Sequence, residues 1–271
     1  MEDAYTRLRI YNIPDGFLVS YSVDMEFVLI GGCYNKSLIT SVCEEMRIAG
    51  CDSIDLLHIP SWDNMFCKDE QIVDLLNELQ PTEVEIPSYV PCDAVGKTCK
   101  KNIMEFCNES YISKLTECSP KYINKSDSVL RGKYLSPTKE YDNPKDNDVV
   151  FLYNMGRFSV LSTGMVESSD VVDDIMTKDN IQELAVLLVY RIDQSPFVNS
   201  AFIEKYQPLI IIDTTEQKFY TRLDKRLKDY GISTKRTTGG DIIIMSGVRE
   251  NDNEIPTNGI RDVANVKYNK E

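Results

Sequence analysis

Apolar and polar positions alternate along the first thirty residues in short blocks. "LRIYNI" (8–13) and "FLVSYS" (17–22) flank Pro14-Asp15-Gly16, which predicts a β-hairpin, and "EFVLIGG" supplies a third strand ending at Gly31-Gly32. The period then lengthens. In "SLITSVCEEMRIAG" the residues Leu38, Val42, Met46 and Ile48 fall on one helical face, and Gly50 is placed to stop the helix. "SIDLLHIP" reads as a buried strand closed by Pro60. "KDEQIVDLLNELQP" follows as an amphipathic helix with Ile72, Leu75, Leu76 and Leu79 at i, i+3, i+4 and i+7. "TEVEIPS" is another strand and "AVGKTCKKNIMEFCNES" another helix, and such alternation predicts a parallel sheet. Residues 117–147 are polar and lack a sustained period, which predicts a surface insertion.

The second half repeats this order. "DVVFLYNMGRFSVLSTG" predicts a hairpin around Met155-Gly156, and "SDVVDDIMTK" a short helix. "AVLLVYRI" and "PLIIID" are buried strands separated by the helix "NSAFIEKYQ". "FYTRLDKRLKDYG" is a helix stopped by Gly231, and "STKRTTGGDIIIMSG" is two strands around Gly239-Gly240. Two similar halves suggest two facing mixed sheets with helices outside, an α/β (α+β) protein built as an αββα sandwich. The expected organisation is one domain over residues 1–248 and a polar tail over 249–271.

Composition narrows the chemistry. The chain has 271 residues, 42% of them hydrophobic, enough for a substantial core, and a formal net charge of −13, which repels nucleic acid and anionic lipid. Eight cysteines occur with no CxxC pair. With no secretory leader pattern and no apolar run of about 18 residues, they predict reduced thiols in a cytoplasmic protein without a membrane segment. The single histidine, His58, and the single tryptophan, Trp62, share the stretch "DLLHIPSWDNMFC" with Asp63.

The order of elements and several short motifs resemble the metallo-β-lactamase fold, most closely the soluble ComEC-type metallo-β-lactamase-like domain, over most of residues 7–246. Where that family reads VGQGD, this chain has "IPDGF", with Phe17 at the acidic position. Where it reads LIDGG, this chain has "LIGGC", with Gly31 in place of the aspartate. The family's HxHxDH loop aligns with "HIPSWDN", so its four functional positions hold Ile59, Ser61, Asp63 and Asn64, while His58 falls one residue early. "VLSTGM" places Met165 at a bridging aspartate, and "LLVYRIDQS" places Arg191 and Ile192 where "LKVGHHGS" carries a histidine. "KRTTGGDIII" keeps the final strand motif.

The resemblance therefore implies a scaffold whose metal ligands have decayed. A hydrolytic centre of that family needs several imidazoles and carboxylates around zinc, and one histidine in 271 residues excludes it. The expectation is a catalytically inactive protein with no metal and no cofactor. Its vacated pocket is bordered by Asp63, Arg191, His58 and Trp62, and an Arg191–Asp63 ion pair stands in for the lost cation. Asp63 has a plainer role available as a cap of the loop or helix that follows it. Cys67 beside His58 reads as a core thiol rather than a nucleophile, and "RLDKRLK" as a solvated helix face.

Freestanding relatives are often encoded beside partner enzymes. The resemblance thus implies an accessory or regulatory subunit that binds another protein, an enzyme or effector encoded nearby, in a bacterial defence or toxin-control module. Two alternatives stand: a phosphodiesterase or nuclease with an oxygen-ligand magnesium or manganese site, and a nucleotide or anion binder that uses Arg191 in the pocket.

Overall fold

The opening hairpin pairs β1 (Thr6–Ile10) with β2 (Val19–Val23), and β3 (Glu26–Ile30) continues the antiparallel meander. The computed structural model describes residues 6–111, 113–125, 131–154, 158–178, 181, 184–215, 221–246 and 262–266. After β3 come α1 (Lys36–Ala49), β4 (Leu56–His58), α2 (Asp69–Leu79), β5 (Glu83–Pro87), α3 (Ala94–Glu109) and β6 (Lys114–Cys118). Strands β3 to β6 run parallel, because each helix carries the chain back over one face of the sheet. Asn35 caps α1 by accepting the Leu38 N–H, and the helix ends at Gly50 as expected. Ile48 departs from expectation: it is exposed, because the buried stripe of α1 runs through Leu38, Val42 and Met46.

A short helix, α4 (Pro120–Ile123), leads to β7 (Gly132–Ser136), β8 (Val150–Tyr153) and β9 (Ser159–Ser162), a second antiparallel meander. Next are α5 (Ser169–Lys178), β10 (Leu184–Val189), α6 (Ser200–Tyr206), β11 (Ile210–Asp213), α7 (Thr221–Asp229) and β12 (Ser233–Arg236), with β9 to β12 parallel. The pairing pattern of β1–β6 is thus repeated strand for strand by β7–β12, as the two similar halves of the sequence suggested. Finally β13 (Asp241–Ser246) and β14 (Asp262–Val266) add to the outer side of β1. The strand orders are β14-β13-β1-β2-β3-β4-β5-β6 and β12-β11-β10-β9-β8-β7.

Side-chain alternation along the strands sorts the core into three layers. Ile10, Val28, Leu56, Phe151, Val160 and Leu188 belong to one cluster drawn from both sheets. Leu29, Leu57 and Val84 point the other way, against Val42, Ile72 and Ile103 of α1, α2 and α3. Leu161, Leu187 and Ile211 do the same against Val171, Phe202 and Leu227 of α5, α6 and α7. Helix, sheet, sheet and helix layers follow, so the αββα sandwich is the observed architecture. Among the described residues no helix is long and apolar enough to cross a membrane.

Two expectations are corrected. Residues 117–147 are not merely an insertion: they include α4 and β7, the edge strand of the second sheet, whose Tyr134 and Leu135 are buried. "STKRTTGGDIIIMSG" does form two strands around Gly239-Gly240, and they fall in different sheets, because β12 joins β11 while β13 crosses to β1. The segment 249–271 contains β14, a paired strand, and the rest of it lies outside the described residues, as does the Met155-Gly156 turn.

A buried ion cluster fastens the crossing. Arg9 of β1 donates from Nε to Asp241 of β13 at 2.7 Å and from Nη1 to Glu45 of α1 at 2.7 Å, while Arg7 also pairs with Glu45. Burial alone would raise the Glu45 carboxyl, but hydrogen bonds from Arg7 and Arg9 outweigh it and hold the group below the usual carboxylate range.

Candidate functional site

In an open or layered α/β protein, sites form beyond the carboxyl ends of parallel strands. Here the ends of β3, β4 and β5 come from one sheet, and those of β9, β10 and β11 from the other. Gly31, at the end of β3, adopts φ +89, and a Cβ there would lie 2.3 Å from the Phe17 carbonyl oxygen. No side chain fits at this position, because the loop between β1 and β2 has closed over it. The Phe17 ring then stacks on Phe66 at 4.6 Å, both rings buried, and Gly32 N–H donates to the Phe66 carbonyl at 2.6 Å. Met65, Met165 and Tyr190 pack against the same inter-sheet cluster.

The four aligned loop positions after β4 diverge. Ile59 turns outward into the helix-covered layer. Ser61 is fully buried. Asp63 serves its own loop: Oδ1 accepts the Met65 N–H at 3.0 Å, and its carbonyl accepts the Phe66 and Cys67 N–H groups. This is the capping role the sequence allowed, in the loop rather than at α2, whose first position is preceded by Lys68. Asn64 is exposed. Trp62 is buried, its indole N–H donating to the Tyr89 carbonyl at 3.2 Å.

His58 also lies away from the expected pocket. As the last residue of β4 it points into the layer between the sheets, fully buried, with Nδ1 2.9 Å from Glu85 Oε2 on β5. Glu85 Oε1 accepts the Tyr134 hydroxyl from β7, so the histidine is one end of a chain spanning both sheets. Among the described residues its Nε2 has no hydrogen-bond partner, and the ring packs beside Phe151 and Tyr153. Cys67 lies in the outer layer, on the other face of the sheet, so no Cys-His pair forms. Cys33, Cys51, Cys67, Cys99, Cys107 and Cys118 are free and buried, and burial pushes the Cys33 thiol up to about 11, which leaves it unreactive.

Arg191 corrects a further expectation. Its guanidinium makes no ion pair with Asp63 within 4.0 Å; the residue adopts φ +59, its carbonyl accepts the Gln194 and Ser195 N–H groups, and its Nε is buried without a hydrogen-bond partner among the described residues. The charge-replacement pair is therefore absent.

The residue that does organise this edge is Asp148, which precedes β8. Its Oδ1 accepts the Tyr89 hydroxyl at 2.6 Å, its Oδ2 accepts the Met165 N–H at 2.7 Å, and the Ser61 hydroxyl also hydrogen-bonds it. Val149 N–H donates to Pro60 at 2.9 Å alongside. Loops after β4, β5 and β9 thus converge on one enclosed carboxyl. Burial pushes its pKa up to about 7 against these hydrogen bonds, with the nearby charge of Asp63 adding to the rise. Gly164 must lack a side chain here, since a Cβ would lie 2.8 Å from the Asp148 Cβ and the residue sits at φ +57. Among the described residues no group of three or more His, Cys, Asp or Glu side chains is arranged to hold a metal ion.

No protein-family model matches the sequence, and no curated protein matches it. Solved structures similar to this chain include the following two. One is described as a metal-dependent hydrolase from Parabacteroides distasonis ATCC 8503, with a TM-score of 0.49 and 13% identity, covering 88% of this chain and 98% of that one. The other is CmlA, a diiron beta-hydroxylase from Streptomyces venezuelae, with a TM-score of 0.49 and 13% identity over 87% of this chain and 53% of that one. This chain thus spans about half the length of CmlA.

Proposed function

We propose that this chain is a metallo-β-lactamase-like sandwich without hydrolytic chemistry, acting as an accessory or regulatory subunit that binds another protein. The observation that carries the reading is the filled strand edge. Gly31 has no room for a ligand side chain, and the stacked Phe17 and Phe66 rings occupy the ground beside it. A zinc hydrolase site needs imidazoles and carboxylates around an open coordination position. The sole histidine is directed between the sheets onto Glu85. An all-oxygen site for magnesium or manganese would draw on Asp63 and Asp148. Asp63 is engaged by its own loop, and Asp148 is enclosed by Tyr89, Ser61 and Met165. A scaffold without a working site contributes through its surface.

The test is elemental analysis of the purified chain together with phosphodiester and nuclease assays in magnesium, manganese or zinc. The expected outcome is no stoichiometric metal and no turnover above the blank. Metal-dependent turnover that disappears in Asp63→Ala overturns the reading. Co-expression with the proteins encoded beside it, followed by size-exclusion chromatography, is expected to yield a stoichiometric complex.

A further inference from the structure

We infer that the outer face of α3, together with the loop after β5, forms a docking groove for an acidic segment of a partner protein that inserts one bulky apolar side chain. The inference rests on the protein-binding reading above and names the surface and chemistry involved. The groove has a volume of about 490 Å³ and runs between Val90-Pro91 and the α3 residues Lys97, Lys101 and Met104. Its apolar part is open to solvent: Val90 is 75% exposed and Met104 38%. Apolar surface in a concave, polar-rimmed patch marks an interaction site more often than scattered exposed residues do.

Charge selects the occupant. On a chain of net charge −13, three lysines, Lys97, Lys100 and Lys101, line this groove with one carboxylate, Glu105, while a second, Glu117, pairs with Lys100 outside the lining. Lys100 is built into the wall: its Nζ lies 2.9 Å from Glu117, 3.3 Å from the Ser88 carbonyl and 5.9 Å from the centroid of the Trp62 ring. Lys101 pairs with Glu105 at 3.6 Å, but both side chains are more than half exposed, so exchange for a partner carboxylate costs little. Lys97 is exposed and makes no ion pair among the described residues. A basic rim over an apolar floor suits an acidic peptide with an apolar anchor. A nucleic acid is disfavoured, since it lacks a side chain for the floor and meets the repulsive field of the whole chain.

The test is random-peptide phage display on the intact wild-type chain, with selected peptides then titrated by fluorescence anisotropy. Peptides enriched in Asp and Glu around a Leu, Phe or Trp are expected. Their affinity should fall at least about tenfold in Lys97→Glu/Lys101→Glu and in Met104→Glu. The milder Lys97→Ala/Lys101→Ala should weaken binding and reduce its salt dependence, with an unchanged thermal melt for all variants. No enrichment, peptides lacking acidic residues, or affinity unmoved by the substitutions overturns the inference. So does tighter binding of a single-stranded oligonucleotide, or self-association of the chain that the substitutions abolish. A partner complex that survives the substitutions refutes the groove and leaves the protein-binding reading intact, whereas metal-dependent turnover refutes that reading whatever the groove does.

Discussion

A fully enclosed carboxyl is costly to ionise, and Asp148 is held where ionisation disturbs both halves of the molecule. Between the ordinary aspartate value of 3.8 and about 7, the folded protein keeps a proton on Asp148 that the unfolded chain has released. Stability from this group is therefore greatest below that window and declines as pH rises through it, by up to about 1.4 kcal/mol per pH unit. In Asp148→Asn the decline should be absent, so the difference in urea midpoint between wild type and variant should shift across the window. Equal pH slopes in both chains would show that the group does not titrate as described. Asp148 was not legible as a site residue because it stands at the end of a polar stretch. Its signal was an acid directly before the apolar run "VVFLY". His58 drew notice by rarity, yet strand alternation was the better guide: Leu57 and Ile59 belong to the outer layer, so His58 had to face inward. That Gly31 and Met165 offer no carboxylate could be read from the sequence, whereas the closure of Phe17 over Gly31 could not, since it depends on a loop contact.

At the level of elements, the ion cluster of Arg7, Arg9, Glu45 and Asp241 locks β1 to α1 and β13. Arg9→Met should cost about 3–5 kcal/mol, because it leaves Glu45 and Asp241 buried with fewer partners; chemical denaturation measures this directly. Glu45 is held below its ordinary value, so its contribution is present above the usual glutamate pKa of 4.5 and is lost as pH falls below it. Acid sensitivity in that range should accordingly be smaller in the variant. The long helices were legible because their apolar stripes are regular: Ile72, Leu75, Leu76 and Leu79 are the buried residues of α2. The strands that escaped notice, β6, β7 and β14, sit at sheet edges or beside them. At an edge, alternation is diluted by residues such as Lys114 and Glu117, which keep such strands soluble.

For the whole molecule, the repeated order of β1–β6 and β7–β12 means that each half presents an apolar face that only the other half can cover. Splitting the chain between Ser128 and Val129 should give two fragments that are unfolded or aggregated alone and that recover sandwich-like circular dichroism when co-expressed. Independent folding of either fragment would show that the layer between the sheets is not the shared core. The recurrence was visible in the sequence because hairpin, strand and helix signals came twice in the same order. The return of the chain to the first sheet was hidden, since Gly239-Gly240 reads as an ordinary turn whichever sheet receives β13. That return also sets a timetable. Thr6 pairs with Ser246, so the outer side of β1 has no neighbour until nearly the entire sandwich has been synthesised, an interval on the order of tens of seconds at typical elongation rates. Throughout that interval Arg9 lacks Asp241 and β1 offers an open backbone to whatever passes the ribosome. Translation that stalls before residue 241 thus releases a chain already primed to stick.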